Sequence, residues 1–281
     1  MTRVVKISVA AIVWTLIVFL AVSCSVEKKL AMDFVQSNNS RHVLVFSTDQ
    51  VFKVNQKREL LDSLKITDES IFDSVLYANS GYLQYINDSL FLANYVLGYL
   101  KEMETLGFHV YKESQTLEFL NLDSNAYVAN IAQIEIEETI YDYRAGEEIF
   151  GEYYYYDFEL NALIVNSWIE LKEYNKTGNG EQLYFATDMI TDDFDGEFYT
   201  DLFAGEVRFA YNVDTLETED LYNFAYLLGR KYASYTVDWM VNKYLDENIP
   251  EGKRSDNYWR YDPYRKEFYP EEEDRFIPMD E

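Results

Sequence analysis

The alternation of apolar and polar positions divides the chain into a short strand-and-helix opening, a β-rich middle and a long closing helix. Val43-Leu44-Val45-Phe46 is an unbroken apolar run, the pattern of a strand covered on both faces. Residues 56–80 read as helix and loop. A firmer helix is predicted over 88–106: Asn87 or Asp88 caps it, Leu92, Val96, Tyr99, Met103 and Leu106 recur at helical spacing, and Gly107 supplies the C′ position. Phe108-His109-Val110-Tyr111 then reads as a strand. In the middle, Ile134, Ile136, Glu138 and Ile140 share one parity, and Phe158, Leu160, Ala162 and Ile164 do the same in the next segment. Asn175 to Gly180 is a turn cluster, followed by strand character at 183–185 and 206–211. After Thr218, which can cap, Leu221, Ala225, Leu228, Tyr232, Tyr235 and Trp239 form one apolar stripe that ends before Pro250.

The first residues carry an address. Arg3 and Lys6 precede a charge-free stretch that closes on Ala21-Val22-Ser23-Cys24, the only cysteine of the chain. A charged, then apolar, then small-residue segment of this length is a cleaved secretory signal, short for a membrane span. The cysteine at the boundary resembles the bacterial lipobox, with Ala21 where leucine is more usual. That resemblance implies palmitate-type lipidation at Cys24, a mature N-terminus there, and an outer-membrane lipoprotein, since Ser25 stands where an aspartate would imply the inner membrane. Ser25-Val26-Glu27-Lys28-Lys29 lacks the acidic run of surface-exported lipoproteins, which implies the periplasmic face.

Composition narrows the function classes. With 50 Asp plus Glu against 24 Lys plus Arg the chain carries −26, which excludes a nucleic-acid binder that tracks phosphates with cations. One Cys and two His exclude a zinc ribbon and a disulfide framework. No Gly-x-Ser-x-Gly elbow, His-Glu-x-x-His or phosphate-binding glycine loop is present, so the expectation is no enzyme, no catalytic residue, no cofactor and no metal. Thr191-Asp192-Asp193-Phe194-Asp195-Gly196 resembles part of a calcium loop, but position twelve would be Leu202, and Asp195-Gly196 reads better as a hairpin turn. Tyr153-Tyr154-Tyr155-Tyr156 could offer a sugar-stacking platform, although only two of four consecutive strand residues share a face. His42 and His109 read as packed histidines.

From Glu251 the character changes. Pro263, Pro270 and Pro278 punctuate an acidic segment carrying Tyr258, Trp259, Tyr261, Tyr264, Phe268, Tyr269 and Phe276. These seven rings are the candidate partner-binding residues, laid into a partner's groove or strapped back onto the domain.

The expected organisation is a signal peptide at 1–23, a lipidated tether at 24–40, one α/β (α+β) domain at 41–250, and an extended acidic aromatic tail at 251–281. Strand, helix, strand, meander and closing helix make a two-layer mixed sheet packed by helices. Val43–Phe46, the helix into Leu106-Gly107-Phe108-His109-Val110, the strand pair through Glu170, and Leu221–Leu245 resemble periplasmic lipoprotein domains of the curli-secretion-channel and peptidoglycan-synthase-activator type. The tail, with Tyr258-Trp259-Arg260-Tyr261-Asp262-Pro263, resembles that of Gram-negative outer-membrane lipoproteins of unassigned activity. The resemblance implies a non-enzymatic adaptor in envelope or outer-membrane protein assembly, with a membrane or periplasmic protein as partner. A glycan-binding lipoprotein using aromatic platforms is the alternative.

Overall fold

In the computed structural model, residues 26–122, 125–174, 182–201, 203, 205–250, 252–271 and 275–279 are described. The signal segment, Cys24 and the turn cluster at 175–180 lie outside the described residues. Helix α1 covers residues 26–36. There follow β1 (His42–Ser47), β2 (Val51–Asn55), α2 (Glu59–Ser63), α3 (Phe72–Ala78), α4 (Asp88–Thr105), β3 (His109–Lys112) and α5 (Thr116–Phe119). The second half holds β4 (Ala126–Ile149), β5 (Glu152–Glu173), β6 (Gln182–Thr191), β7 (Asp193–Asp201), β8 (Glu206–Asp214), α6 (Thr218–Asn248), β9 (Tyr258–Asp262), β10 (Glu267–Glu271) and β11 (Ile277–Pro278).

The main sheet runs β11-β6-β5-β4-β1-β3, and β2 pairs with β4 past the end of β1. Strands β1, β2 and β3 are parallel to their neighbours, whereas β4, β5, β6 and β11 alternate. The chain is thus a mixed α/β domain with helices packed against a mixed sheet, as expected. In α4 the rings and side chains of Phe91, Tyr95, Tyr99 and Met103 recur every fourth residue and are buried. The side chain of Asn87 accepts from Leu90 N, and the helix exits through Gly107 at φ +93°. Helix α6 opens on a reciprocal box between Glu217 and Asp220, so Thr218 is its first helical residue rather than its cap. Both helices cover the face formed by Val43, Val45, Ile134, Ile136, Val165 and Ile169. On the other face, α5 covers one end through Phe119, with Leu44 and Ala126.

Two expected boundaries move. Residues 26–36, expected as tether or short helix ahead of the domain, form a helix whose Ala31 and Phe34 are buried in the core. The tail, in which no periodicity was legible, makes a β9–β10 hairpin over α6, then adds β11 to the sheet edge at Phe185 and Tyr184. Helix α6 is therefore buried nearly all round in its second half: the sheet covers one side and the hairpin the other. Asn242 meets the tail edge-on, accepting from Trp259 N and donating to Trp259 O, both at 2.8 Å.

Glu27 joins these two terminal segments. Its buried carboxylate accepts from Ser255 N and Oγ, both at 2.6 Å, from Trp259 Nε1 at 2.7 Å and from Arg254 at 3.3 Å. Burial pushes the carboxyl up, but the Ser255 and Trp259 hydrogen bonds and Arg254 outweigh it and hold it below its ordinary range. Glu27→Ala is expected to release the tail. Limited proteolysis followed by mass spectrometry should show cleavage between 252 and 260 at least tenfold faster than in the parent protein. An unchanged digestion rate would show that the tail is held without Glu27.

Candidate functional site

The pairing of β4 with β5 continues from Tyr127 opposite Glu173 to Ile149 opposite Glu152. The neighbouring strands stop much earlier. Strand β2 last pairs at Glu138, and β6 covers β5 only from Ala162 inward. Beyond that line the hairpin leaves the sheet, and at about 3.3 Å per residue it projects on the order of 30 Å. A second hairpin, β7–β8, forms its own two-stranded sheet beside it.

Rings join the two hairpins into one arm. Phe158 lies 4.2 Å from Phe194, Tyr156 stacks 5.0 Å from Phe209, and Tyr143 sits 5.4 Å from Phe194. Such offset and tilted pairs contribute about 0.5–1.5 kcal/mol each beyond their buried area. Gly196 makes room for them. It lies mid-strand opposite Tyr211, and a Cβ there would meet ring carbons of Phe194 and Phe209 at 2.7 Å. The expected turn at Asp195-Gly196 is therefore corrected: β7 runs through it because the glycine admits the rings, and the hairpin closes at Gly205, φ +66°.

The base of the arm is fixed by a buried polar knot. Asp192, between β6 and β7, accepts from Tyr82 Oη at 2.6 Å, Asn161 Nδ2 at 2.8 Å and the backbone N–H groups of Asn161 and Leu216 at 3.1 Å. Burial raises its carboxyl, but Tyr82 and Asn161 lead the donors that hold it below the ordinary range. Lys57 bridges Asn161 Oδ1 to Glu138 at 2.8 and 2.9 Å. Asp192 thus accepts four hydrogen bonds from protein donors, two on each carboxylate oxygen. Among the described residues, no group of three or more His, Cys, Asp or Glu is placed to hold a metal ion.

At its tip the arm breaks two rules of folding economy. Phe150 and Gly151 close the β4–β5 hairpin at φ +54° and +84°, the two-residue turn that favours Asn-Gly. A bulky residue at positive φ costs about 1 kcal/mol, and the Phe150 ring is 90% exposed. Phe203, in the closing turn of β7–β8, is fully exposed as well. Tyr153 and Tyr155 add two exposed rings on one side of β5, and Arg144 lies 4.8 Å over Tyr155. Phe150 is thus both strained and solvated at a projecting tip, and Phe203 is likewise solvated.

The tail rings go elsewhere. Trp259, Phe268 and Phe276 are at most 2% exposed, with Phe276 packed 5.4 Å from Tyr235 and 5.5 Å from Tyr184. These three are self-packed anchors and cannot reach a partner in this conformation. Burying each ring stabilises the fold by roughly 1.5–3 kcal/mol. Tyr258, Tyr261 and Tyr269 are half-buried, and Tyr264 is exposed. Among the tyrosines of 153–156, Tyr156 faces the second hairpin while Tyr153 and Tyr155 point away from it. His42 and His109 stack at 5.1 Å across β1 and β3; burial and the neighbouring imidazole hold His42 below its ordinary value.

No helix among the described residues is long and apolar enough to cross a membrane. Comparison of the chain with protein-family models and with curated proteins found no match.

Proposed function

We propose that this chain is a lipid-anchored protein of the outer membrane, facing the periplasm, that acts without catalysis as an adaptor in envelope assembly and grips a protein partner with the tip of its two-hairpin arm. The observation that carries the reading is Phe150, a bulky ring held at positive φ and left in water 30 or so ångströms along a projecting hairpin. The partner surface is apolar and basic: Glu147, Glu148 and Glu152 flank Phe150 on β4 and β5, and Asp201 and Glu206 flank Phe203 on β7 and β8, against Arg144 and Arg208 as the arm's cations. Acidic surroundings speed docking to a cationic face and disfavour other partners. Lipidation at Cys24 would raise the effective concentration of the arm near membrane-embedded partners.

The short run from Cys24 to Glu27 shapes that geometry. Three residues reach at most about 11 Å, and Glu27 is already locked into the domain. Anchoring at Cys24 would hold the body close against the bilayer and leave the arm as the element with reach.

The test is affinity purification of the full-length protein from detergent-solubilised membranes, run beside Phe150→Asn/Phe203→Asn. The parent should retain a stoichiometric membrane or periplasmic protein, and the variant should lose it at least tenfold. Because Asn tolerates positive φ, Phe150→Asn is expected to raise stability by about 1 kcal/mol, so lost capture cannot be ascribed to unfolding. A partner retained equally by both proteins, or none captured by the parent, overturns the arm as the docking element.

One observation favours a second reading. The outward side of β5 presents Tyr153 and Tyr155 at alternate positions, a spacing that suits stacking on sugar rings. Retention of the protein on envelope polysaccharide, lost in Tyr153→Ala/Tyr155→Ala and kept in Phe150→Asn/Phe203→Asn, would support glycan binding instead.

A further inference from the structure

A cleft of about 490 Å³ lies between α6 and the β9–β10 hairpin. Its walls reverse the charge of the molecule. In a chain with twice as many acids as bases, five cations converge here: Arg230 and Lys231 from α6, Arg260 from β9, Arg265 from the turn, and Arg275 from the segment before β11. Among the described residues, the acids that line the cleft with them are Glu102, Asp262 and Glu271. The net field of a strongly acidic protein repels anions, so a site that holds one has to gather cations locally.

Lys231 is taken up by Asp188 at 2.5 Å, but pairing leaves part of the arginine charge unused. Arg230 donates through Nε to Glu102 and Arg260 through Nη1 to Glu271, each at 2.7 Å, which leaves both guanidinium groups with further donors. Arg275, 11% exposed at the cleft floor, has its nearest carboxylate oxygens among the described residues on Asp238 and Glu271, at 3.7 and 3.8 Å, beyond hydrogen-bond length. The Oδ2 atom of that same Asp238 is buried and makes no hydrogen bond. The Arg275 guanidinium instead lies 4.6 Å over the Tyr235 ring. Arg265 has no carboxylate within ion-pair distance among the described residues, and its guanidinium meets only Tyr269 Oη at 3.3 Å.

The turn that carries Arg265 is built to aim it. Asp262 accepts from Tyr264 N at 2.8 Å and from Arg265 N at 3.0 Å, and Lys266 is held at φ +55°. Tyr264, 85% exposed, stands at the mouth. Several guanidinium forks converging on one opening match a phosphate, which offers oxygens for bidentate pairing and carries up to two charges. A flat ring at the entrance suits a sugar or aromatic group attached to it.

We propose that this cleft binds a phosphate-bearing ligand, held by Arg260, Arg265 and Arg275 with Tyr264 over its mouth. The site lies apart from the arm and does not depend on the adaptor reading. The same phosphate chemistry can come from a soluble phosphate ester or from a lipid headgroup.

Isothermal titration of the full-length protein in detergent, at low ionic strength, with pyrophosphate and separately with short-chain phosphatidylglycerol, separates the two sources. Arg265→Gln is the variant of choice, since Arg265 has no carboxylate partner to leave unpaired. Arg144→Gln, an exposed cation on the arm, is the control. Saturable binding of pyrophosphate that weakens with salt and falls at least tenfold in Arg265→Gln, with Arg144→Gln unaffected, supports the site and a soluble ester. The same pattern for phosphatidylglycerol alone supports it with a headgroup as the source. No saturable binding of either probe, or binding that Arg265→Gln leaves unchanged, overturns the proposal. Phe150→Asn/Phe203→Asn should bind both probes as the parent does, so failure here is distinguishable from failure of the arm.

Discussion

Replacing Gly229 by alanine is expected to lower the melting temperature by roughly 10 °C, with Gly98→Ala close behind. Helices α4 and α6 cross glycine against glycine: a Cβ on Gly229 would stand 1.9 Å from Tyr95 O, and one on Gly98 would stand 2.1 Å from Tyr226 O. Neither obstacle is a side-chain end that could rotate away. Each is a backbone carbonyl inside a helix, so one helix has to shift by more than an ångström. That shift disturbs the Tyr99–Thr236 hydroxyl contact at 2.6 Å and the Arg230–Glu102 pair at the same crossing. Overpacking a core costs about 1–3 kcal/mol when side chains can adjust, so the cost here lies at or above the upper end. For a domain of this size each kcal/mol moves the midpoint by about 2–4 °C. Gly205→Ala serves as the contrast. Its Cβ would enter open space, and only the positive φ is penalised, at about 1 kcal/mol. Thermal unfolding followed by circular dichroism reads all three. If Gly229→Ala melts within 3 °C of the parent, the close crossing is not as drawn.

The two glycines also show what the sequence can and cannot say. Helices α4 and α6 are legible because their apolar residues keep a 3.6-residue period over four or more turns, and β4 and β5 because theirs keep a period of two. A glycine inside such a stripe signals only a weak helix position; which helix it meets depends on the sheet beneath both. The arm was hidden for a related reason, since a strand alternates equally inside a sheet and beyond it. Its signal was nonetheless present. The parity that reads Ile134, Ile136, Glu138, Ile140 continues as Asp142, Arg144, Gly146, Glu148, and the loss of aliphatic residues after Ile140 marks where β4 leaves the core. Phe150 carries no signal of its own in the sequence, since a lone phenylalanine among tyrosines looks ordinary until its φ is known. The tail failed differently: strands of five residues broken by Pro263 and Pro270 are too short to show a period, and their anchors are fixed by Asp238 and Asn242, polar residues one turn apart on α6. Asp238 interrupts the apolar run from Val237 to Val241 and Asn242 follows directly on it, a pattern that asks for a backbone partner.

Glu138 poses the same question more sharply, since it is a charge on the apolar parity of β4, and it carries the second large effect. Its side chain is fully buried. Oε1 accepts from Lys57 Nζ at 2.9 Å and Gly81 N at 2.8 Å, and Oε2 accepts from Tyr82 N at 2.9 Å and Leu83 N at 3.2 Å. The carboxylate thus holds the segment before α4 and, through Lys57 and Asn161, the base of the arm. Glu138→Gln turns one acceptor oxygen into a donor facing donors and leaves Lys57 without a counter-charge. Removing one member of a buried pair costs about 3–5 kcal/mol, a fall of roughly 10 °C in melting temperature. The pH dependence follows from the direction of the carboxyl shift. Burial alone would raise it, but Lys57 and the Gly81 and Tyr82 N–H groups outweigh burial and hold it below its ordinary value of 4.5. The stabilisation is therefore complete above that value, where the unfolded chain is also ionised, and is lost as pH falls through the depressed folded value. Denaturant melts from pH 7 to pH 3 should show the parent losing its advantage over Glu138→Gln only below about pH 4.5. Glu27 and Asp192, also depressed, steepen the acid limb of both proteins alike, so the difference between the two curves isolates Glu138. A gap that persists undiminished to pH 3 would mean that the position contributes through packing rather than through its charge.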